Sequence, residues 1–138
     1  MILDRDPLQM KCTEFSFVLK LSAIGGVGVF TIHAIPEKMI LFSGKSHSVK
    51  RKTKDIPSDF IKYCIFLNDD ECLCPERFDH MKIGWYINHS SDPNITKNTD
   101  GLISIRNIQA GEEILINYND LNEPEHLKEA YYKAEVYE

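Results

Sequence analysis

The chain has 138 residues, 43% of them hydrophobic and 27% charged, the balance of an ordinary globular protein and enough length for a single core. Its longest apolar stretches, such as Met39 to Phe42 and Ile114 to Ile116, fall far short of the roughly 20 residues a membrane-spanning helix needs. The formal charge of -5 disfavours general nucleic-acid binding and suits attraction of a basic peptide.

Asp4, Arg5 and Asp6 interrupt the start where a secretory signal would be apolar, so an intracellular location is expected, cytoplasmic or, in a eukaryote, nuclear. Free thiols are then expected at Cys12, Cys64, Cys72 and Cys74. The pair Cys72-Leu73-Cys74 invites a zinc reading. A closed site needs a second pair or a histidine at suitable spacing, and none follows, so no metal is expected.

In chain order, Phe15, Phe17 and Leu19 alternate with Ser16, Val18 and Lys20, which predicts an early strand that Gly25 and Gly26 end. Val27 to Ile32 reads as a second extended piece, Pro36 to Lys38 as a turn and Met39 to Phe42 as a buried strand. The polar stretch Ser43 to Ser58 reads as a loop. Its basic cluster of Lys45, His47, Lys50, Arg51, Lys52 and Lys54 is a solvated face on the plain reading and an anion-binding patch on the alternative.

The apolar runs Tyr63 to Leu67 and Cys72 to Cys74 flank Asn68 to Glu71, a hairpin signal because Asn and Asp favour turns. A second hairpin is expected at Asn98 to Gly101, ahead of Leu102 to Ile108. After a turn at Ala110-Gly111, Ile114, Ile116 and Tyr118 share one strand face, with Leu115 and Asn117 on the other. At the C-terminus, Asn122 as cap, Pro124 at the first position and Glu125 in a capping-box arrangement predict a helix over about 123–134, with Leu127, Ala130, Tyr131 and Ala134 as its apolar stripe. The sum is one mainly β domain with short helices over 1–138, its core spanning about 15–120.

Three segments carry chemistry. GGVGVF at Gly25 to Phe30 permits close approach of a ligand to the backbone. Alone it reads as a glycine turn, and it is no dinucleotide fingerprint because a strand follows it rather than a helix. NHSSDPN at Asn88 to Asn94 offers amide and imidazole donors and acceptors ahead of a proline turn. GEEILINY at Gly111 to Tyr118 ends a strand on a phenol.

In this order the three segments resemble the SET-domain protein lysine methyltransferases, in compact form without a cysteine-rich zinc module after the tyrosine. The resemblance implies a SET β-clip fold with knot-like threading of the C-terminal segment. It implies S-adenosylmethionine as cofactor, held by Gly26, Val27, Gly28, Val29, Tyr86, Asn88 and His89. Tyr118 would be catalytic, standing where the methyl sulfonium meets the target amine, and Glu113 would tie its strand to a neighbour.

Ile116 would shape the lysine channel and leave room for a product beyond monomethyl, while Tyr131 and Tyr132 would wall that channel in place of the zinc module. The implied substrate is lysine in a basic, histone-like protein, and a homodimer completing the substrate groove is a further expectation. Trp85-Tyr86-Ile87 stands where many members have Arg-Phe-Ile, and Phe42-Ser43-Gly44 where many have Tyr-x-Gly. These departures define the alternative, a catalytically silent SET-fold module that binds a peptide or partner protein.

Overall fold

The computed structural model describes residues 15–43 and 48–133. Cys12, Gly44, Lys45, His47 and Ala134 therefore lie outside the described residues. Among the described residues, ten short strands form two sheets. Strands β1 (Phe17–Leu21), β2 (Val27–Thr31), β3 (Ile40–Ser43), β7 (Asn88–His89), β8 (Ile95–Asn98), β9 (Gly101–Ser104) and β10 (Glu113–Ile116) make a seven-stranded sheet. Its order is β1-β2-β10-β8-β9-β3, with β7 also on β10. Strands β4 (Ser48–Lys52), β5 (Ile65–Phe66) and β6 (Glu71–Pro75) make a three-stranded sheet ordered β4-β6-β5. Among the described residues the helical pieces are all 3₁₀ turns, and the fold is mainly β, as the sequence predicts.

The large sheet is held by β-branched side chains that point inward at alternate positions. Val29 of β2, Ile95 of β8, and Ile114 and Ile116 of β10 pack with Ile35, Leu41, Ile87 and Ile108, burial that supplies most of the drive to fold. A smaller cluster of Ile56, Cys64, Cys72 and Cys74 lies under the second sheet; all three cysteines are free thiols. Both expected hairpins form, by one mechanism. Asn98 Oδ1 accepts the amides of Asp100 and Gly101, and Asn68 Oδ1 accepts those of Asp70 and Glu71, so each Asn side chain mimics a turn carbonyl.

The strand expected over Leu102 to Ile108 ends at Ser104, after which a lone bridge joins Ile35 to Ile108. Ser43 to Ser58 is not a continuous loop, for Ser48 to Lys52 pairs antiparallel with Glu71 to Pro75. Alternation there is hidden because Val49 is the only apolar residue of the strand. Tertiary bonds fix it instead: the Arg51 guanidinium donates to Pro75 O at 2.6 Å and Glu76 O at 2.7 Å, and lies 4.9 Å from the Phe78 ring centroid. The centre of the basic run thus has a structural role.

The helix expected over about 123–134 is likewise absent from its described residues. Asn122 adopts φ 63° and turns the chain instead of capping a helix. Pro124 is extended at ψ 136°, Glu125–Leu127 form one 3₁₀ turn, and Lys128 is extended again. The polar groups meant for a helix surface bond elsewhere: Lys128 Nζ donates to Asn119 Oδ1 at 2.7 Å, and Asn119 Nδ2 donates to Tyr132 O at 2.7 Å. Local propensity yields here to tertiary contacts.

Candidate active site

Strand β10 lies at the centre of the large sheet and brings the two polar segments together. It runs antiparallel to β2 and parallel to both β7 and β8, so that Leu115 faces Asn88, and Ile116 faces both His89 and Ile95. Asn94, 1% exposed, locks the crossing. Its Nδ2 donates to Glu113 O at 2.7 Å and its Oδ1 accepts the Leu115 amide at 2.8 Å, so one side-chain amide satisfies a donor and an acceptor of β10 as a neighbouring strand would. The sequence singles out the segment containing Asn94 but not this role.

Glu113 is architectural, as expected. Its carboxylate accepts from Ser22 Oγ at 2.7 Å and from Asn88 Nδ2 at 2.9 Å. Gly28 makes room for it, because a Cβ at Gly28 would collide with that carboxylate and stand 3.0 Å from Asn88 Nδ2. Asn88 Nδ2 also donates to Val27 O at 3.1 Å. One amide therefore ties β7 to β2 and β10.

Tyr118 opens a 3₁₀ turn, Tyr118–Leu121, just past β10. Its amide donates to His89 Nδ1 at 3.0 Å and its hydroxyl donates to Ile87 O at 2.6 Å. The phenol is thereby fixed at both ends. Burial, followed by the charges of Tyr131, Glu123 and Glu113, holds its pKa well above that of an ordinary tyrosine, so the group is a neutral phenol at physiological pH. His89 has its pKa lowered by burial; with Nδ1 accepting, the neutral ring carries its proton on Nε2.

A cavity of about 1090 Å³ opens beside this phenol, at the upper end of the roughly 300–1,000 Å³ usual for ligand pockets. Of the residues singled out from sequence, Gly26, Val27, Tyr86, Asn88, Ile116, Tyr118, Tyr131 and Tyr132 line it. Gly28, Val29 and His89 do not: Gly28 accommodates Glu113, Val29 is fully buried in the core, and His89 stands behind Tyr118 at 5.3 Å between ring centroids. Gly25 and Gly26 have φ 143° and 59° with open space beyond them, which leaves their backbone groups approachable from the cavity.

Tyr131 and Tyr132 close around the phenol. The Tyr118 and Tyr132 rings meet edge to face at 5.2 Å, and those of Tyr131 and Tyr132 at 4.9 Å. Sequence reasoning missed Glu123, which also lines the cavity; a lone Glu ahead of a proline carries no signal of burial. Trp85 lines the same cavity, in the 3₁₀ turn Ile83–Tyr86.

Residues 26–119 match the model of the SET domain. Among solved structures the chain is similar to a Plasmodium falciparum protein provisionally assigned as a histone methyltransferase, at 27% identity and TM-score 0.52, over 75% of this chain and 96% of that one. It is also similar to KRYPTONITE in complex with mCHH DNA, an H3(1-15) peptide and SAH, at 19% identity and TM-score 0.54. That likeness covers 75% of this chain and only 23% of KRYPTONITE, and it speaks to fold alone. No curated protein matches the chain. The family match runs across most of the described residues and more than half of the chain: this chain belongs to the SET-domain family.

Proposed function

We propose that the chain is an S-adenosylmethionine-dependent protein lysine methyltransferase acting on a basic, histone-like protein. The observation that carries this reading is the Tyr118 phenol, fixed by its 2.6 Å bond to Ile87 O on the wall of a cavity that Gly26, Val27 and Asn88 also line. The cofactor fits this donor set. The backbone at Gly25 and Gly26 is approachable, and the Asn88 donor is committed to Val27 O and Glu113, which turns its carbonyl oxygen into the group available to a ligand amine. Gly26, Val27, Tyr86 and Asn88 would hold the cofactor, which supplies a methyl group already activated on a sulfonium.

The protein's own task is to present a neutral amine in line with that group. A lysine with a reference pKa near 10.4 is about 99% or more protonated at pH 8, a penalty of roughly 3 kcal/mol for reaching the neutral form. Tyr118 is no base for this step, because burial keeps it protonated. Tyr86, Ile116, Tyr131 and Tyr132 surround the amine with apolar surface instead, which disfavours the ammonium and lets its proton leave to solvent. With its hydrogen held by Ile87 O, the Tyr118 oxygen presents lone pairs to the amine and the methyl hydrogens.

Tyr118→Phe tests the assignment. Radiolabel transfer to a panel of basic proteins is expected to fall by about 10²-fold, the scale of losing one positioned polar group in an active site, with cofactor affinity by calorimetry nearly unchanged. A fully active variant would remove Tyr118 from the chemistry. Wild-type protein that binds basic peptides but transfers no label would favour the silent-module reading.

A further inference from the structure

The C-terminal segment that follows Tyr118 forms a wall of the cavity. One carboxylate ties it to β5. Glu123 is only 9% exposed. Its Oε1 accepts from the Tyr132 hydroxyl at 2.7 Å, and its Oε2 accepts from the Phe66 amide at 2.9 Å. Phe66 belongs to β5, in the second sheet, and is itself on the cavity wall. The bend that aims Glu123 inward is the positive φ at Asn122, a conformation that Asn tolerates better than other side chains.

We propose that Glu123 is a positioning residue for methyl transfer, stapling the C-terminal segment to β5 so that Tyr131 and Tyr132 complete the amine channel around Tyr118. The inference rests on the methyltransferase reading for its catalytic half. Its structural half stands on the two bonds. Unlike a surface pair, the carboxylate is largely removed from water and both its oxygens are engaged, so deleting it strands a buried hydroxyl and a half-buried N–H at once. A second set of bonds runs parallel: Lys128 Nζ bridges Glu125 and Asn119, and Asn119 donates to Tyr132 O. These hold the segment's backbone but do not reach β5; His126 meets Asp69 in the exposed turn between β5 and β6, away from the cavity, so among the described side-chain bonds the one that joins the two cavity walls is that of Glu123 to Phe66.

The test uses the full chain with Glu123→Ala, Glu123→Gln and Tyr132→Phe, alone and with the Ala and Phe changes combined. Three readouts are needed: radiolabel transfer from S-adenosylmethionine to a basic protein, calorimetric binding of S-adenosylhomocysteine, and amide exchange at Phe66. Glu123→Ala is expected to lower kcat/KM for the protein substrate at least tenfold and to speed exchange at Phe66, while cofactor affinity stays within about twofold, because the cofactor residues belong to other elements.

Gln can accept from Phe66 and donate to the Tyr132 oxygen, so it should recover most of the loss. The double variant should be no worse than Glu123→Ala, since both changes break one clamp. Additive losses, or a Glu123→Ala protein with full transfer, would overturn the proposal. Wild-type protein that neither binds cofactor nor transfers label refutes the functional reading and the catalytic half of this one, and exchange at Phe66 then decides the clamp by itself.

Discussion

Gly28→Ala separates two explanations of the glycine-rich segment, closeness to a ligand and closeness to Glu113. Gly28 has no positive φ, so alanine suits its backbone and would by itself stabilise by about 0.4–1 kcal/mol through the unfolded chain. The new methyl, however, meets the Glu113 carboxylate and Asn88 Nδ2. Moving that carboxylate breaks its bonds from Ser22 and Asn88, each worth about 1.5 kcal/mol at the lower end for a charged acceptor. The net expectation is a destabilisation of about 2–3 kcal/mol. With an unfolding entropy of about 2.1 cal/mol/K per residue, that lowers Tm by roughly 7–10 °C. Thermal unfolding followed by circular dichroism measures it on protein without added cofactor. A midpoint within about 2 °C of wild type, accompanied by lost cofactor binding, would refute the packing argument and return Gly28 to the ligand site.

Gly26→Ala should behave in the opposite way: its Cβ meets nothing, so the φ of 59° costs only about 1–2 kcal/mol, and calorimetry should find cofactor affinity reduced more than stability. Asn94→Ala leaves Glu113 O and the Leu115 amide buried without their partner, which predicts a loss of about 2–4 kcal/mol in urea unfolding. Tyr118, Tyr132 and Cys64 all have pKa values raised chiefly by burial. The unfolded chain therefore gives up protons that the folded one keeps, and stability is full below the ordinary thiol and phenol range and declines as pH climbs through about 8.5 to 10 and beyond. Urea titrations across that range should show the decline, and Tyr132→Phe should flatten it.

The parts of the fold legible in the sequence are those whose signal is local. Asn98 and Asn68 announce their hairpins because an Asx side chain closes its own turn, and Ile114 and Ile116 announce a buried strand by alternation. The polar segment at Asn88 to Asn94 and the strand leading to Tyr118 are readable as patterns, although the strand stops at Ile116 and Tyr118 opens a 3₁₀ turn, and the cavity does bring Asn88, Ile116 and Tyr118 together. What escaped depends on partners distant in sequence. Ser48 to Lys52 is a strand because β6 and the Arg51 bonds make it one. Asn122 to Lys128 has every mark of a helix start, but Glu123 and Lys128 find better partners in Phe66, Tyr132 and Asn119. Gly28, which the resemblance gives to the cofactor, packs against Glu113, and Val29 lies in the core; no pattern within the segment states which way each residue faces.

The central place of β10 also bears on how the molecule is made. Synthesis delivers this strand after all nine others, yet it must slot between β2 and β8. A growing polypeptide consequently holds two unsatisfied strand edges side by side until residues 113–116 have emerged. Such exposed edges invite pairing with other chains, and contacts of such wide sequence separation form slowly. A nascent chain arrested before Gly111 would be prone to aggregate, while release of residues 111–133 would complete the sheet and the cavity wall in a single event.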